Sequence, residues 1–255
     1  MIKVLIKFIA GFLCVFIAFI LVSDIFSSPA ISGESTYLPD TEINLNSYED
    51  LDVLKRIFES YQEQKAQGIQ LKGWLYVPNI CYYPVMYSAD NEFYLDHGPD
   101  KLPSIYGALF FDYTFGTNAE DVLVVHGHHM YDGTMFSKLN KYLVEDFYLN
   151  NKSIIYFDGL NFYFYKPYNA DTFDAYEIPF PENNMDLSAR TKFIDDMILN
   201  SPIKFAEISE NLDYGAPLIT LSTCDYSFHD ARMVVFGISV DKMSLTSFKK
   251  LSQNS

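Results

Sequence analysis

This sequence predicts a mainly β chain, folded as a closed or nearly closed β-barrel with a few peripheral helices. Three observations carry that expectation. Aromatic residues are abundant, with 20 Tyr and 22 Phe among 255 residues, and aromatic and β-branched side chains favour pleated, half-buried surfaces. After Gly68 the chain breaks into short apolar runs separated by turn residues, which is the texture of many strands. No internal repeat, low-complexity tract or Gly-rich phosphate loop interrupts it, and many strands with few helices close most simply as a barrel.

The first element along the chain is apolar. Across 4–22 the only charge is Lys7. About 19 residues make a helix of roughly 29 Å, which matches a bilayer core. Lys3 and Lys7 at its start, with Asp24 after its end, put the N-terminus in the cytoplasm and the remainder outside. A cleaved signal peptide competes with this reading, because Ser28-Pro29-Ala30 offers small residues, but the apolar run is longer than a usual signal core. The expectation is a cytoplasmic tip and signal anchor over 1–23, crossing the cell membrane once through residues 4–22, with the folded domain on the extracellular face. Residues 24–46, rich in Ser, Pro, Asn and Asp, read as a linker. The folded domain then covers 47–242, and 243–255 is left as a C-terminal tail.

Ser47 with Asp50 three residues on resembles a capping box. Leu51, Leu54, Phe58 and Tyr61 recur at helical spacing and Gly68 supplies a stop, so a helix is predicted over 48–66. Strands are predicted at 73–77, 82–86, 107–112, 122–126, 153–157, 161–168, 175–178, 217–223 and 233–240. Asp158-Gly159 between two aromatic runs marks a tight hairpin. Two further helices are predicted, a short one near 135–142 and one over 188–200 with Phe193, Ile194, Met197 and Ile198 on its apolar side.

Charge and cysteine content narrow the function. A net charge of −15 repels phosphate backbones, so nucleic acid is not a partner. Cys14, Cys81 and Cys224 are too few, and odd in number, for a disulfide framework. Cys14 lies in the apolar run. Cys224 ends an apolar, β-branched run and is followed at once by Asp225, Tyr226, Ser227, His229 and Asp230. A strand end opening into a polar loop is a common address for catalytic groups, although a lone Cys there is also an ordinary small hydrophobe. Arg232, one of three arginines, opens the next strand. Two strands joined by a short loop lie side by side, so a Cys ending one and an Arg starting the other face one pocket, where the guanidinium can steady a thiolate or an oxyanion. The competing reading is a surface Arg that balances Asp225 and Asp230.

The third element is Val125-His126-Gly127-His128-His129-Met130 at the end of a buried run. A His near a Cys takes its proton or holds it as a thiolate. His126 and His128, two apart, would share one side of a strand, as zinc ligands do, with His97, Cys81 or an acid as a third. No paired-cysteine or helical His-Glu motif supports that metal reading.

Taken together these elements resemble the sortases, cysteine transpeptidases of Gram-positive cell surfaces. Thr220-Leu221-Ser222-Thr223-Cys224 followed by Arg232 matches the family's TLxTC…R signature, and His126 to Met130 followed by Asp132-Gly133-Thr134-Met135-Phe136 resembles its catalytic-histidine segment, which selects His128. Gly73-Trp74-Leu75-Tyr76-Val77-Pro78, Tyr83-Pro84-Val85 and Asp90-Asn91-Glu92-Phe93-Tyr94-Leu95 are similar to class B sequences. The resemblance covers about 48–242. It implies a sortase-like closed barrel with an N-terminal helix and an extra helix before the last strand pair. It also implies a membrane-anchored transpeptidase that cleaves a C-terminal sorting motif of secreted proteins. Cys224 attacks, His128 protonates the leaving amine, Arg232 positions substrate and steadies the oxyanion, Thr223 assists through its hydroxyl or main chain, and Ser222 lines the pocket. The acyl group passes from Cys224 to an amine of cell-wall peptide or of another protein, and no cofactor or metal is required. Two positions depart from the family pattern: His129 stands where Asn is expected, and His126 where an aromatic is usual. A hydrolytic cysteine protease, a zinc hydrolase built on His126 and His128, and a non-catalytic binding module are the alternatives.

Overall fold

A computed structural model describes residues 51–203 and 212–253. In chain order these residues form α1 (Leu51–Ala66), β1 (Gly73–Val77), β2 (Cys81–Met86), a 3-10 turn at Phe93–Leu95, β3 (Leu109–Phe111) and β4 (Val122–His126). There follow a second 3-10 turn (Leu139–Leu143), α2 (Glu145–Asn150), β5 (Ile154–Phe157), β6 (Asn161–Asp174), α3 (Leu187–Leu199), β7 (Leu218–Cys224), β8 (Ala231–Ser244) and α4 (Leu245–Gln253).

The strands close in the order β1-β2-β3-β4-β7-β8-β6-β5, so the expected barrel is present and has no free edge. All neighbours are antiparallel except β2 with β3 and β4 with β7, which run parallel. Strand alternation sorts the apolar side chains. Leu75, Val85, Leu123, Val125, Tyr165, Ile219, Leu221 and Val235 belong to one buried cluster. On the outside of β1, β5 and β6, Trp74, Tyr76, Phe157, Phe162 and Phe164 form a second cluster with Val53, Leu54 and Ile57 of α1 and Phe248 of α4. The β5–β6 hairpin turns where Asp158-Gly159 predicts. Gly159 takes φ 95°, a left-handed value suited to glycine, and the Asp158 N–H donates to the Asn161 carbonyl at 3.1 Å.

Four local differences have physical reasons. The predicted strand at 175–178 is a turn, because β6 continues to Asp174 beside β8 and the Ala175 N–H closes on the Asp230 carbonyl at 2.9 Å. The helix predicted at 135–142 forms only over its second half, as the 3-10 turn Leu139–Leu143; its start is taken by an isolated bridge between His129 and Met135, where Met135 takes φ 55°, a value incompatible with helix. β8 runs to Ser244, well past its predicted end, because β6 pairs with it along its length. The predicted C-terminal tail carries α4, whose Phe248 is 2% exposed against the Phe58 and Phe162 rings.

The expected single-pass location at the cell membrane, with the domain on its extracellular face, is corrected. Among the described residues no helix is long and apolar enough to cross a membrane. The longest, α1, has 16 residues, about 24 Å, and carries an exposed polar face. The apolar segment 4–22 and the linker 24–46 lie outside the described residues.

Candidate active site

The β-branched run of β7 is buried from Leu218 to Thr223, and Cys224 is the first residue to reach partial exposure. Asp225 then turns the chain. Its N–H donates to the Ala231 carbonyl at 2.9 Å, and its carboxylate accepts the Ser227 N–H at 2.9 Å. β8 returns antiparallel, with Cys224 opposite Arg232 and Ser222 opposite Val234. Residues directly opposite share a face with Cβ atoms about 5 Å apart. The structure therefore brings Cys224 and Arg232 onto one face of neighbouring strands. Arg232 Nη1 donates to the Ala231 carbonyl at 3.0 Å. Among the described residues it forms no ion pair, so it does not balance Asp225 or Asp230; Asp230 sits with His229 instead.

On the other side of β7 lies β4, parallel and in register, with His126 beside Ser222. The last main-chain bond of this pair runs from the Gly127 N–H to the Ser222 carbonyl at 3.2 Å. A Cβ on Gly127 would lie 2.3 Å from Leu109 and 2.9 Å from Phe136, so only glycine lets the chain pass between these side chains. Immediately beyond comes His128. Its Nε2 donates to the Leu95 carbonyl at 2.5 Å, and among the described residues no hydrogen bond joins it to the Cys224 thiol. The 3-10 turn that presents Leu95 is pinned by Asp90, whose carboxylate accepts the Glu92 and Phe93 N–H groups at 2.9 and 2.8 Å. Those bonds lower the Asp90 carboxyl from its ordinary value.

His126 takes a different partner. Its Nε2 donates to Asp112 at 2.9 Å. Asp112 also accepts from the Thr114 N–H and hydroxyl at 2.9 and 2.6 Å and from Asn91 at 2.8 Å. Burial opposes ionisation of Asp112, but the bonds from His126 and Thr114 outweigh it and hold the carboxyl well below the usual carboxylate range. The two histidines thus diverge onto separate acceptors. Cys81 is buried in the barrel core, where desolvation pushes its thiol far up. Among the described residues no three His, Cys, Asp or Glu side chains converge as a metal set.

Ser222 is buried two residues before Cys224 on the same face of β7. Thr223 points to the opposite face, where its hydroxyl is buried without a partner. Two site groups escaped the sequence, the Leu95 carbonyl and the Asp112–Thr114–Asn91 cradle, and so did the partner of His129, whose Nδ1 lies 2.9 Å from the Cys224 carbonyl. The cradle follows from register, since Phe110 opposes His126 across β3 and β4 and Asp112 is the next residue on that face. Register, however, is not written in one strand alone.

A profile of the Sortase domain matches residues 75–240. Sortase B of Listeria monocytogenes is 32% identical over 181 residues, which cover 67% of this chain and 70% of that relative. Sortase B of Staphylococcus aureus is 27% identical over 219 residues, covering 78% and 86%. Among solved structures, sortase B of Clostridium perfringens superposes with a TM-score of 0.64 at 25% identity, over 70% of this chain and 100% of that one.

Proposed function

This chain belongs to the sortase family, and from that premise we propose that Cys224 is its nucleophile, His128 its general acid and Arg232 the cation that holds the substrate carbonyl. Sortases of this class are cysteine transpeptidases, acting on proteins that bear a sorting motif and on amine acceptors. The observation that carries the residue assignment is the strand arrangement: Cys224 faces Arg232 across β7 and β8, and His128 follows the parallel neighbour β4.

In the proposed reaction the Cys224 sulfur attacks a backbone carbonyl in a C-terminal sorting motif of a secreted protein. The C–S bond forms, negative charge gathers on the carbonyl oxygen, and Arg232 stabilises it with charge-assisted hydrogen bonds. The C–N bond then breaks as His128 delivers a proton to the leaving amine. An amine of cell-wall peptide or of another protein attacks the thioester, gives its proton back to His128, and releases Cys224 as thiolate. To act as the acid, His128 gives up the Leu95 carbonyl that its Nε2 holds in the structure. Ser222 lines the floor beside Cys224. With its hydroxyl on the far face, Thr223 is left to contribute through its main chain.

The test is a panel of fluorogenic peptides carrying different sorting motifs, incubated with the full chain and with Cys224→Ala, His128→Ala and Arg232→Ala. We expect kcat/KM to fall about 10³-fold or more in the Cys224 variant and to collapse in the other two. A chelator should have no effect, and an added amine should divert the product to ligation. Undiminished turnover in Cys224→Ala sinks the assignment.

A further inference from the structure

We infer that His129 is a positioning residue for the transpeptidation, its ring replacing the main-chain bond that would otherwise tie the Cys224 end of β7 to the turn bearing His128. The inference rests on Cys224 acting as the nucleophile.

A parallel strand pair is held by evenly spaced, slanted bonds, each donor strand contributing from every second residue. Along β4 and β7 the last such bond comes from Gly127 to Ser222. The next would run from the main chain of residue 129 to the Cys224 carbonyl. Beyond His126, however, the chain leaves the sheet and folds on itself. The Phe136 N–H donates to the His128 carbonyl at 2.9 Å, and His129 and Met135 form an antiparallel bridge. The His129 ring reaches back in place of the main chain, with Nδ1 at 2.9 Å from the Cys224 carbonyl.

A carbonyl only accepts, so Nδ1 carries the hydrogen. This bond therefore survives whether or not Nε2 is protonated. Its sequence position gives it leverage: His129 directly follows His128, and its acceptor is the main chain of Cys224 itself. This hydrogen bond thus ties the residue next to the proposed acid to the main chain of the proposed nucleophile. The ring is held in turn by Tyr226, whose centroid lies 5.1 Å away at 67° and whose hydroxyl donates to the His129 carbonyl at 3.4 Å. Tyr226 stacks on Tyr131 at 5.8 Å and 8°. The turn after β4 and the loop after β7 are consequently latched together at the point where the reacting side chains leave the barrel.

The test compares His129→Asn, His129→Gln and His129→Leu in the full chain with wild type, using the best peptide and amine pair and with Cys224→Ala as the blank. Asparagine puts an N–H donor at the branch position that Nδ1 occupies. Glutamine puts its donor one bond further out, and leucine has none. Because small misplacements of reacting groups cost on the order of 10²-fold, we expect His129→Gln and His129→Leu to lose roughly that much in kcat while KM moves less than about threefold. His129→Asn should stay within about threefold of wild type and keep its pH profile. Wild-type kcat in both His129→Gln and His129→Leu overturns the inference. So does a His129→Asn variant as impaired as His129→Leu, or one that loses a limb of the pH profile, since the ring would then be needed for proton transfer. A loss confined to KM overturns it as well. If Cys224→Ala retains turnover, the failure lies with the nucleophile assignment instead. The glutamine and asparagine variants keep the comparison readable if leucine compromises folding.

Discussion

The outer face of β1, β5 and the first half of β6 is sheathed by α1 and α4, whereas the outer face of β4, β7 and the start of β8 ends in His126, Ser222, Cys224 and Arg232. The first wall is an aromatic mosaic. Phe157, fully buried, touches Phe58, Tyr61 and Phe162 with ring centroids 6.2, 5.1 and 4.3 Å away. The second is held by directional bonds, four of them converging on Asp112. Both walls belong to one closed sheet, so the difference lies in how each is finished. Apolar area removed from water stabilises without regard to direction. A hydrogen-bonded cradle contributes less net energy and fixes where atoms point. One wall accordingly supplies stability and the other supplies geometry.

Breaking the aromatic wall should give the largest effect. Phe157→Ala is expected to cost about 3–5 kcal/mol of unfolding free energy in a denaturant titration, with turnover per folded molecule unchanged. A parallel loss of turnover per folded molecule would show that the two walls are not separable.

Asp112→Asn attacks the other wall and should cost about 1–3 kcal/mol at neutral pH, since an amide cannot accept from all four donors. The pH dependence has a definite sign. Folding lowers the Asp112 pKa, so its contribution is present above the unfolded value near 3.9 and is lost as pH falls through and below it. Wild-type stability should therefore drop more steeply than that of Asp112→Asn below about pH 5, and the gap between them should shrink toward pH 3. A constant gap would assign the loss to shape rather than charge.

The smallest effect belongs to a hydrogen bond within the aromatic wall. Tyr82→Phe removes the 2.8 Å contact with Ser60 and should cost about 0.5–1.5 kcal/mol. A cost as large as that of Phe157→Ala would mean that this wall, too, depends on directional bonds.

What could be read from the sequence follows the same division. Most barrel strands were visible because a buried strand needs only a local run of apolar and β-branched residues. Leu218 to Thr223 announces β7 by itself, and Asp158-Gly159 announces its hairpin. The lengths of β6 and β8 were hidden because each extends by pairing with the other, and a polar residue such as Lys242 is tolerated there by Glu120, 122 residues away in sequence. Met135 at positive φ defeats a helical reading of its neighbourhood for a similar reason: the bridge to His129 is tertiary. At the site, Cys224, Arg232 and His128 were legible as residue types at strand ends. The acceptors of His126, His128 and His129 were not, because each depends on a segment far away in sequence or on strand register.

The parallel pairing of β4 and β7 has a temporal consequence. His129 and its acceptor stand 95 residues apart, and parallel neighbours cannot be joined by a hairpin. Contacts of such long span form only after a large loop has closed, which makes them late events in folding. The constellation around Cys224 therefore arises together with closure of the barrel.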